Sequence, residues 1–182
     1  IACMSNGKQI GLAWIMYADD NNSKVATALG NATWVQGGLG YDGHPDNTNI
    51  QYLTEGRLGP YLKNVGVYKC PADLSRTWGN RPPPGSDNPS RVRSISMSQA
   101  FRTYSEEHWT SPPWRIYIKT SELVAPQPAN LWVFIDENPD SINDAAFAVA
   151  MGVPTRVLTI WQDIPATYHC GGCGFSFADG HS

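Results

Sequence analysis

Hydrophobic and polar positions along this chain follow two different periods. Between Ile1 and Asn22 the residues Cys3, Gly7, Ile10, Trp14 and Tyr17 recur at spacings of 4, 3, 4 and 3. That is one stripe of an amphipathic helix. The stripe stops at Asp19-Asp20-Asn21-Asn22, short polar side chains that bond the local backbone and so end a helix near Ala18 to Asp20. No Ser, Thr or Asp precedes Ile1 as a cap, so the helix is expected to arrive from upstream. Later segments change period. Arg91 to Gln99 alternates, with Val92, Ser94, Ser96 and Ser98 on one side and Arg93, Ile95 and Met97 on the other, which predicts a strand. Leu131 to Ile135 is apolar throughout, aromatic and β-branched, and reads as the central strand of a sheet. Phe175 to Ala178 predicts a last strand that buries Phe175 and Phe177.

Weaker signals fill the gaps. Val25 to Leu29 and Thr33 to Val35 read as short strands or extended loop. Asn49 to Leu53 and Leu58 to Leu62 read as short helices, and Val65, Val67 and Tyr68 as a brief extended stretch. Asp144 to Ala150 and Val157 to Ile160 are a further strand or a helical turn. Leu74 to Ser90 contains Pro82-Pro83-Pro84, which cannot donate to a ladder, so it is an exposed loop. The sum is a long helix packed on a small antiparallel sheet with long loops, an α+β arrangement.

Composition narrows the classes. The 182 residues suffice for one domain with a core. Seventeen Gly, fourteen Pro, seven Trp and eight Tyr describe a loop-rich domain with aromatic anchors. Net charge is −3 without a basic block, which excludes a nucleic-acid partner of the usual kind. No apolar run is long enough to span a membrane. Four cysteines, Cys3, Cys70, Cys170 and Cys173, are compatible with two disulfides and an oxidising compartment, in any of three pairings. Their spacing is not that of a zinc ribbon.

Three constellations could carry chemistry. His169, Cys170, Cys173 and His181 have the residue types of a zinc site, although adjacent His169 and Cys170 are awkward on one ion. Asp136, Asn138, Asp140 and Asp144 fall at positions 1, 3, 5 and 9 of an EF-hand count. Ser141 and Phe147 stand where that loop needs Gly and Glu, so it is not an EF-hand. Calcium at Asp136, Asp140 and Asp144 and a solvated acidic turn both remain open. Trp109, Trp114 and Tyr117, around Pro112-Pro113, are either a sugar or peptide platform or loop aromatics folded onto their own domain. None of the common nucleophile, phosphate-binding or metalloprotease motifs occurs, and the chain is not expected to be an enzyme.

Three blocks resemble one family. The first is Cys3-Met4-Ser5-Asn6 and Lys8 to Ala13, continuing through Met16-Tyr17-Ala18-Asp19-Asp20-Asn21. The second is Tyr61 to Asp73, ending Cys70-Pro71-Ala72-Asp73. The third is Tyr168 to His181, a His169-x9-Asp179-Gly180 arrangement ending Ala178-Asp179-Gly180-His181. Together they resemble prepilin-like proteins of the Planctomycetes–Verrucomicrobia kind, relatives of type II secretion pseudopilins, with a C-terminal H-x9-DG domain. This chain departs from the pattern at Gly7, where the family usually has Leu, and in the cysteines among its C-terminal glycines.

The resemblance implies a pilin-like fold. Residues 1–22 would be the C-terminal half of the first helix, and residues 23–182 a globular head. An apolar half-helix before Ile1 would anchor the subunit in the inner membrane and later pack in a filament core. The implied role is a structural subunit of a type IV pilus-like or type II secretion pseudopilus filament, extracellular or at the cell surface. Its partners would be other pilin-like subunits and the assembly machinery. In a surface protein the short-range pair Cys170–Cys173 is the expected disulfide, and Cys3–Cys70, both in the resembling blocks, would be the second, worth roughly 2–4 kcal/mol. A His169–Asp179 hydrogen bond would pin the last loop, and calcium is the one cofactor suggested, since major pseudopilins order a loop with it. The alternatives are a secreted carbohydrate-binding module and a zinc-binding adaptor.

Overall fold

The computed structural model describes residues 2–102, 114–151 and 160–182. Helix α1 runs Ala2–Asp20 and buries Cys3, Ile10, Gly11, Ala13, Trp14, Tyr17 and Ala18. The expected stripe is its inner face, widened by one row. It stops where the polar run predicts. Asn21 Nδ2 donates to the Tyr17 carbonyl at 2.7 Å, and Asn22 and Ser23 turn left-handed with φ of 55° and 62°. The Ser23 N–H then closes the end on the Ala18 carbonyl at 2.9 Å.

One-turn helix α2 (Gln51–Thr54) and 3-10 turns at Gly59–Tyr61 and Val65–Tyr68 follow. The last replaces the extended stretch that Val65, Val67 and Tyr68 suggest. The Asn64 side chain accepts the Gly66 N–H at 2.9 Å and caps a turn there instead.

The strands are β1 (Ile95–Ser98), β2 (Trp132–Asp136), β3 (Ala146–Phe147), β4 (Val149–Ala150), β5 (Ile160–Trp161) and β6 (Phe175–Phe177). Four of them form one sheet in the order β3-β1-β2-β6, with β2 internal as its sequence predicts. β2 pairs antiparallel with both β1 and β6. The sheet is not wholly antiparallel, however, because β3 lies parallel to β1. The chain leaving β2 is carried across to the far edge of β1, and two buried arginines hold its carbonyls on the way. Arg91 donates to Pro139 and Ile142 at 2.8 and 3.2 Å, and Arg93 to Asp144 at 2.7 Å. β4 and β5 pair antiparallel in a separate two-stranded sheet.

The class is therefore α+β, an N-terminal helix on a small, mostly antiparallel mixed sheet. Aromatic side chains join the layers. Trp14 meets Phe101 edge-on at 5.1 Å, and Trp34 lies between Tyr68 and Phe134 at 5.8 and 4.9 Å.

α1 crosses β6 closely, and this reverses one expectation. Ser176 is the buried residue of β6, whereas Phe175 and Phe177 are half-buried on its other face. The cause is Gly7 and Gly11. A Cβ on Gly7 would stand 2.6 Å from Ser176 Oγ, and one on Gly11 would touch the Gly180 Cα at 3.7 Å. Only small residues fit between helix and strand at that separation, so the phenylalanines face away.

Candidate functional site

The first turn of α1, the Cys70-Pro71 turn, the end of β2 and the C-terminal loop meet at one point. There Cys3, Cys70, Asp136 and His169 each offer a ligand-type atom, and the four atoms lie within 4.8 Å of one another. The Cys3 thiol donates to Asp136 Oδ2 at 2.7 Å, and Cys70 Sγ is 3.4 Å from His169 Nε2. Cys3, Cys70 and Asp136 are buried, and His169 covers them from the solvent side.

Each member is positioned by its own local structure. Asn6 Nδ2 donates to the Lys69 carbonyl at 3.1 Å, tying α1 to the residue before Cys70. The Cys70 N–H donates to Ser94 Oγ at 2.8 Å, and the Cys70 carbonyl accepts the Asp73 N–H at 2.9 Å. Asp73 stiffens that turn by accepting the Ser75 N–H at 2.7 Å and pairing with Lys69 at 3.5 Å. Asp136 is locked by main-chain bonds on both sides: its N–H reaches Gly174 and its carbonyl receives Ala166, at 3.0 and 2.9 Å. The Gly174 N–H also reaches Asp136 Oδ2 at 3.3 Å. A Cβ on Gly174 would lie 3.0 Å from that oxygen and 3.4 Å from Cys3 Sγ, so a glycine there keeps the pocket open.

The electrostatics follow from burial. Burial, reinforced by the Asp136 carboxylate, holds the Cys3 thiol far above its ordinary range, and burial also raises Asp136. Both shifts run in the same direction, away from the charged form, because the buried site offers those charges no water. Asp136 Oδ1 is buried without a hydrogen-bond partner.

The site differs from each arrangement drawn from the sequence. All four cysteines are free thiols. Cys3 and Cys70 are brought together as proposed but are unbonded, while Cys170 is exposed and Cys173 half-buried. The zinc set His169, Cys170, Cys173 and His181 does not assemble: only His169 joins the cluster. His181 stacks on Phe177 at 4.3 Å and 4°. The expected His169–Asp179 bond is replaced by a His181 Nδ1–Asp179 Oδ1 contact of 2.6 Å. Two residues of separation make that local pair far easier to form than one across the loop, and His169 is turned to Cys70.

Asp136, Asp140 and Asp144 do not converge either. Asp136 points into the thiol cluster, Asp140 is exposed, and Asp144 accepts the Ala146 N–H at 2.7 Å. The carbonyls of Pro139, Ile142 and Asp144, which a calcium ion in this loop could use, are already taken by Arg91 and Arg93. Two guanidinium groups hold the segment where the sequence suggested a cation. The spacing of Arg91 and Arg93 was visible, but their inward direction was not.

Two surfaces remain. Trp114, Tyr117, Trp132, Phe147 and Trp161 line a cavity of about 690 Å³; Trp109 and Pro112-Pro113 lie outside the described residues. The face of α1 turned from the sheet carries Met4, Leu12 and Met16, exposed by 54, 44 and 53%. They fall on one row with Lys8 at i, i+4 spacing. Among the described residues no helix is long and apolar enough to cross a membrane. Comparison with protein-family models, with curated proteins and with solved structures found no match for this chain.

Proposed function

We propose that this chain is the head and adjoining helix of a pilin-like structural subunit, built for a type IV pilus-like or type II secretion pseudopilus filament at the cell surface. One observation carries the reading. The three sequence blocks that resemble prepilin-like proteins are far apart in the chain, yet they pack on one another. Asn6 of the first bonds Lys69 of the second, His169 of the third reaches Cys70 of the second, and Ser182, just past the third, donates to the Met4 carbonyl at 3.0 Å. Gly11 lies against Gly180. Shared residues thus mark one structural unit, the seat of α1 on the head.

The row of Met4, Leu12 and Met16 supports the same reading. A helix apolar on the face opposite its own sheet has a second surface to cover, and the occupant in this proposal is the helix of a neighbouring subunit. The upstream continuation of α1 would hold the subunit in the membrane until a leader peptidase and the assembly machinery release it. The test uses the full-length protein after leader cleavage, followed by sedimentation and electron microscopy. Filaments are the expected outcome; a stable monomer under assembly conditions would sink the reading.

A second reading, a secreted carbohydrate-binding module, is favoured by the cavity that Trp114, Trp132 and Trp161 line. It predicts retention on immobilised polysaccharide that Trp114→Ala and Trp161→Ala abolish. Unretained wild-type protein on a panel of such columns removes it.

A further inference from the structure

We propose that Cys3, Cys70, Asp136 and His169 form a structural binding site for one borderline-soft divalent cation, best fitted by zinc, that staples α1 to the head. This goes beyond the filament reading and does not depend on it.

The donor set comes first. Two sulfurs, one imidazole nitrogen and one carboxylate oxygen are four ligands of the types that zinc takes in closed tetrahedral sites. Calcium would need six to eight oxygens, and only Asp136 supplies any here. Distances agree. Zinc bonds of about 2.3 Å to sulfur and about 2.05 Å to nitrogen separate those two atoms by roughly 3.6 Å across a tetrahedron. The Cys70 Sγ to His169 Nε2 distance is 3.4 Å, and all four atoms fit within a 4.8 Å span. Cys3 Sγ and Asp136 Oδ2 lie 2.7 Å apart; that separation must open by under an ångström for both to bind one ion.

Asp136 supplies an independent observation. The residue is 2% exposed and its Oδ1 has no hydrogen-bond partner. The ion pairs among the described residues are His44–Asp46, Lys69–Asp73 and His181–Asp179, and Asp136 is in none of them. A buried carboxylate with an orphaned oxygen calls for a cation. A Cys3–Cys70 disulfide would not provide one and would remove the thiol that now bonds Oδ2.

The surroundings are those of a metal turn. The Cys70 N–H bond to Ser94 Oγ and the Asp73 N–H bond to the Cys70 carbonyl at 2.9 Å fix the turn that presents the Cys70 sulfur. Gly174 leaves the space that any side chain would fill. The four ligands come from four separate segments, so one ion would close every long loop among them at once.

The experiment is a titration of the reduced, chelator-treated chain with cobalt(II), read by its visible ligand-field and near-ultraviolet thiolate bands. The expected result is a one-equivalent endpoint with tetrahedral thiolate bands, displaced by zinc and indifferent to calcium. His169 is exposed, so His169→Ala tests a ligand without disturbing the core. It should weaken binding by at least about tenfold, and Cys3→Ser and Cys70→Ser by more than about 100-fold. Cys170→Ser and Cys173→Ser should bind as wild type. Circular dichroism checks that each variant is folded. Bands that survive Cys3→Ser, or that vanish with Cys170→Ser, would overturn the assignment. So would a reduced protein that binds no cobalt while the untreated protein carries a Cys3–Cys70 disulfide in its peptide map.

Discussion

Arg93 is a charged side chain whose hydrogen bonds all end on neutral oxygens. It is buried, reaches the carbonyls of Ile95 and Asp144, both at 2.7 Å, and lies 5.7 Å from the Trp34 ring. The planar guanidinium can serve acceptors on two segments at once; an ammonium cannot. Arg93→Met should therefore destabilise by about 2–4 kcal/mol by leaving buried carbonyls without donors, and Arg93→Lys should recover little of it, as urea unfolding would measure. Asp163 shows the opposite problem. It accepts the Ala148 N–H at 2.5 Å, but burial, partly offset by that bond and aided by Asp144, pushes its carboxyl up to about 6. A raised folded-state value favours the protonated form, so its contribution to stability is complete below about pH 4 and is lost as pH rises through about 6. Asp163→Asn should match wild type at pH 4 and exceed it at pH 8. Asp163 borders an open cleft of about 460 Å³, and solvent screening there keeps the expected gain to about 1–2 kcal/mol. Equal stability profiles from pH 4 to 8 would count against this account.

At the scale of elements, α1 and β6 explain a residue that the sequence presents as a departure. The prepilin-like proteins that the first block resembles usually have Leu where this chain has Gly7. Here Gly7 faces Ser176 across the helix–strand contact. Gly7→Leu should destabilise by about 1–3 kcal/mol through overpacking, despite the better helix propensity of Leu. In a Ser176→Ala background, which removes the hydroxyl 2.6 Å from the added Cβ, Gly7→Ala should become stabilising by up to about 1 kcal/mol. Thermal unfolding of the four proteins in that double-mutant cycle reads the coupling. If the Gly7→Ala effect is the same with and without Ser176 Oγ, the contact does not govern that position.

At the scale of the whole molecule, α1 has one apolar face inside and a second row outside. Replacing Met4, Leu12 and Met16 together by Glu should change the stability of the isolated chain by less than about 0.5 kcal/mol per site, since none packs on the core. It should abolish assembly of the full-length subunit if the outer row is a subunit contact. Loss of folding would instead assign that row to the stability of the head, and filaments of normal yield would remove it from the interface. The metal staple acts at the same scale, because its ligands join residues 133 positions apart, Cys3 and Asp136.

Local periodicity was legible in the sequence. The inner stripe of α1, its stop at Asp19 to Asn22 and the central place of β2 depend on neighbours a few residues away, and the side-chain pattern records them directly. The same holds for the loop around Pro82-Pro83-Pro84. What depended on partners far along the chain was not legible. Which face of β6 is buried was decided by how closely α1 approaches, so Ser176 rather than its phenylalanine neighbours turned inward. The parallel run of β3 and the inward direction of Arg91 and Arg93 rest on where a loop crosses the sheet. The cysteine chemistry was decided last of all. The chain shows four thiols and a His169 beside Cys170, but only tertiary packing separates Cys170 from the cluster and brings Asp136 in beside Cys3 and Cys70. Side-chain period is a property of a short segment, whereas a cluster drawn from four segments exists only once the chain has closed on itself.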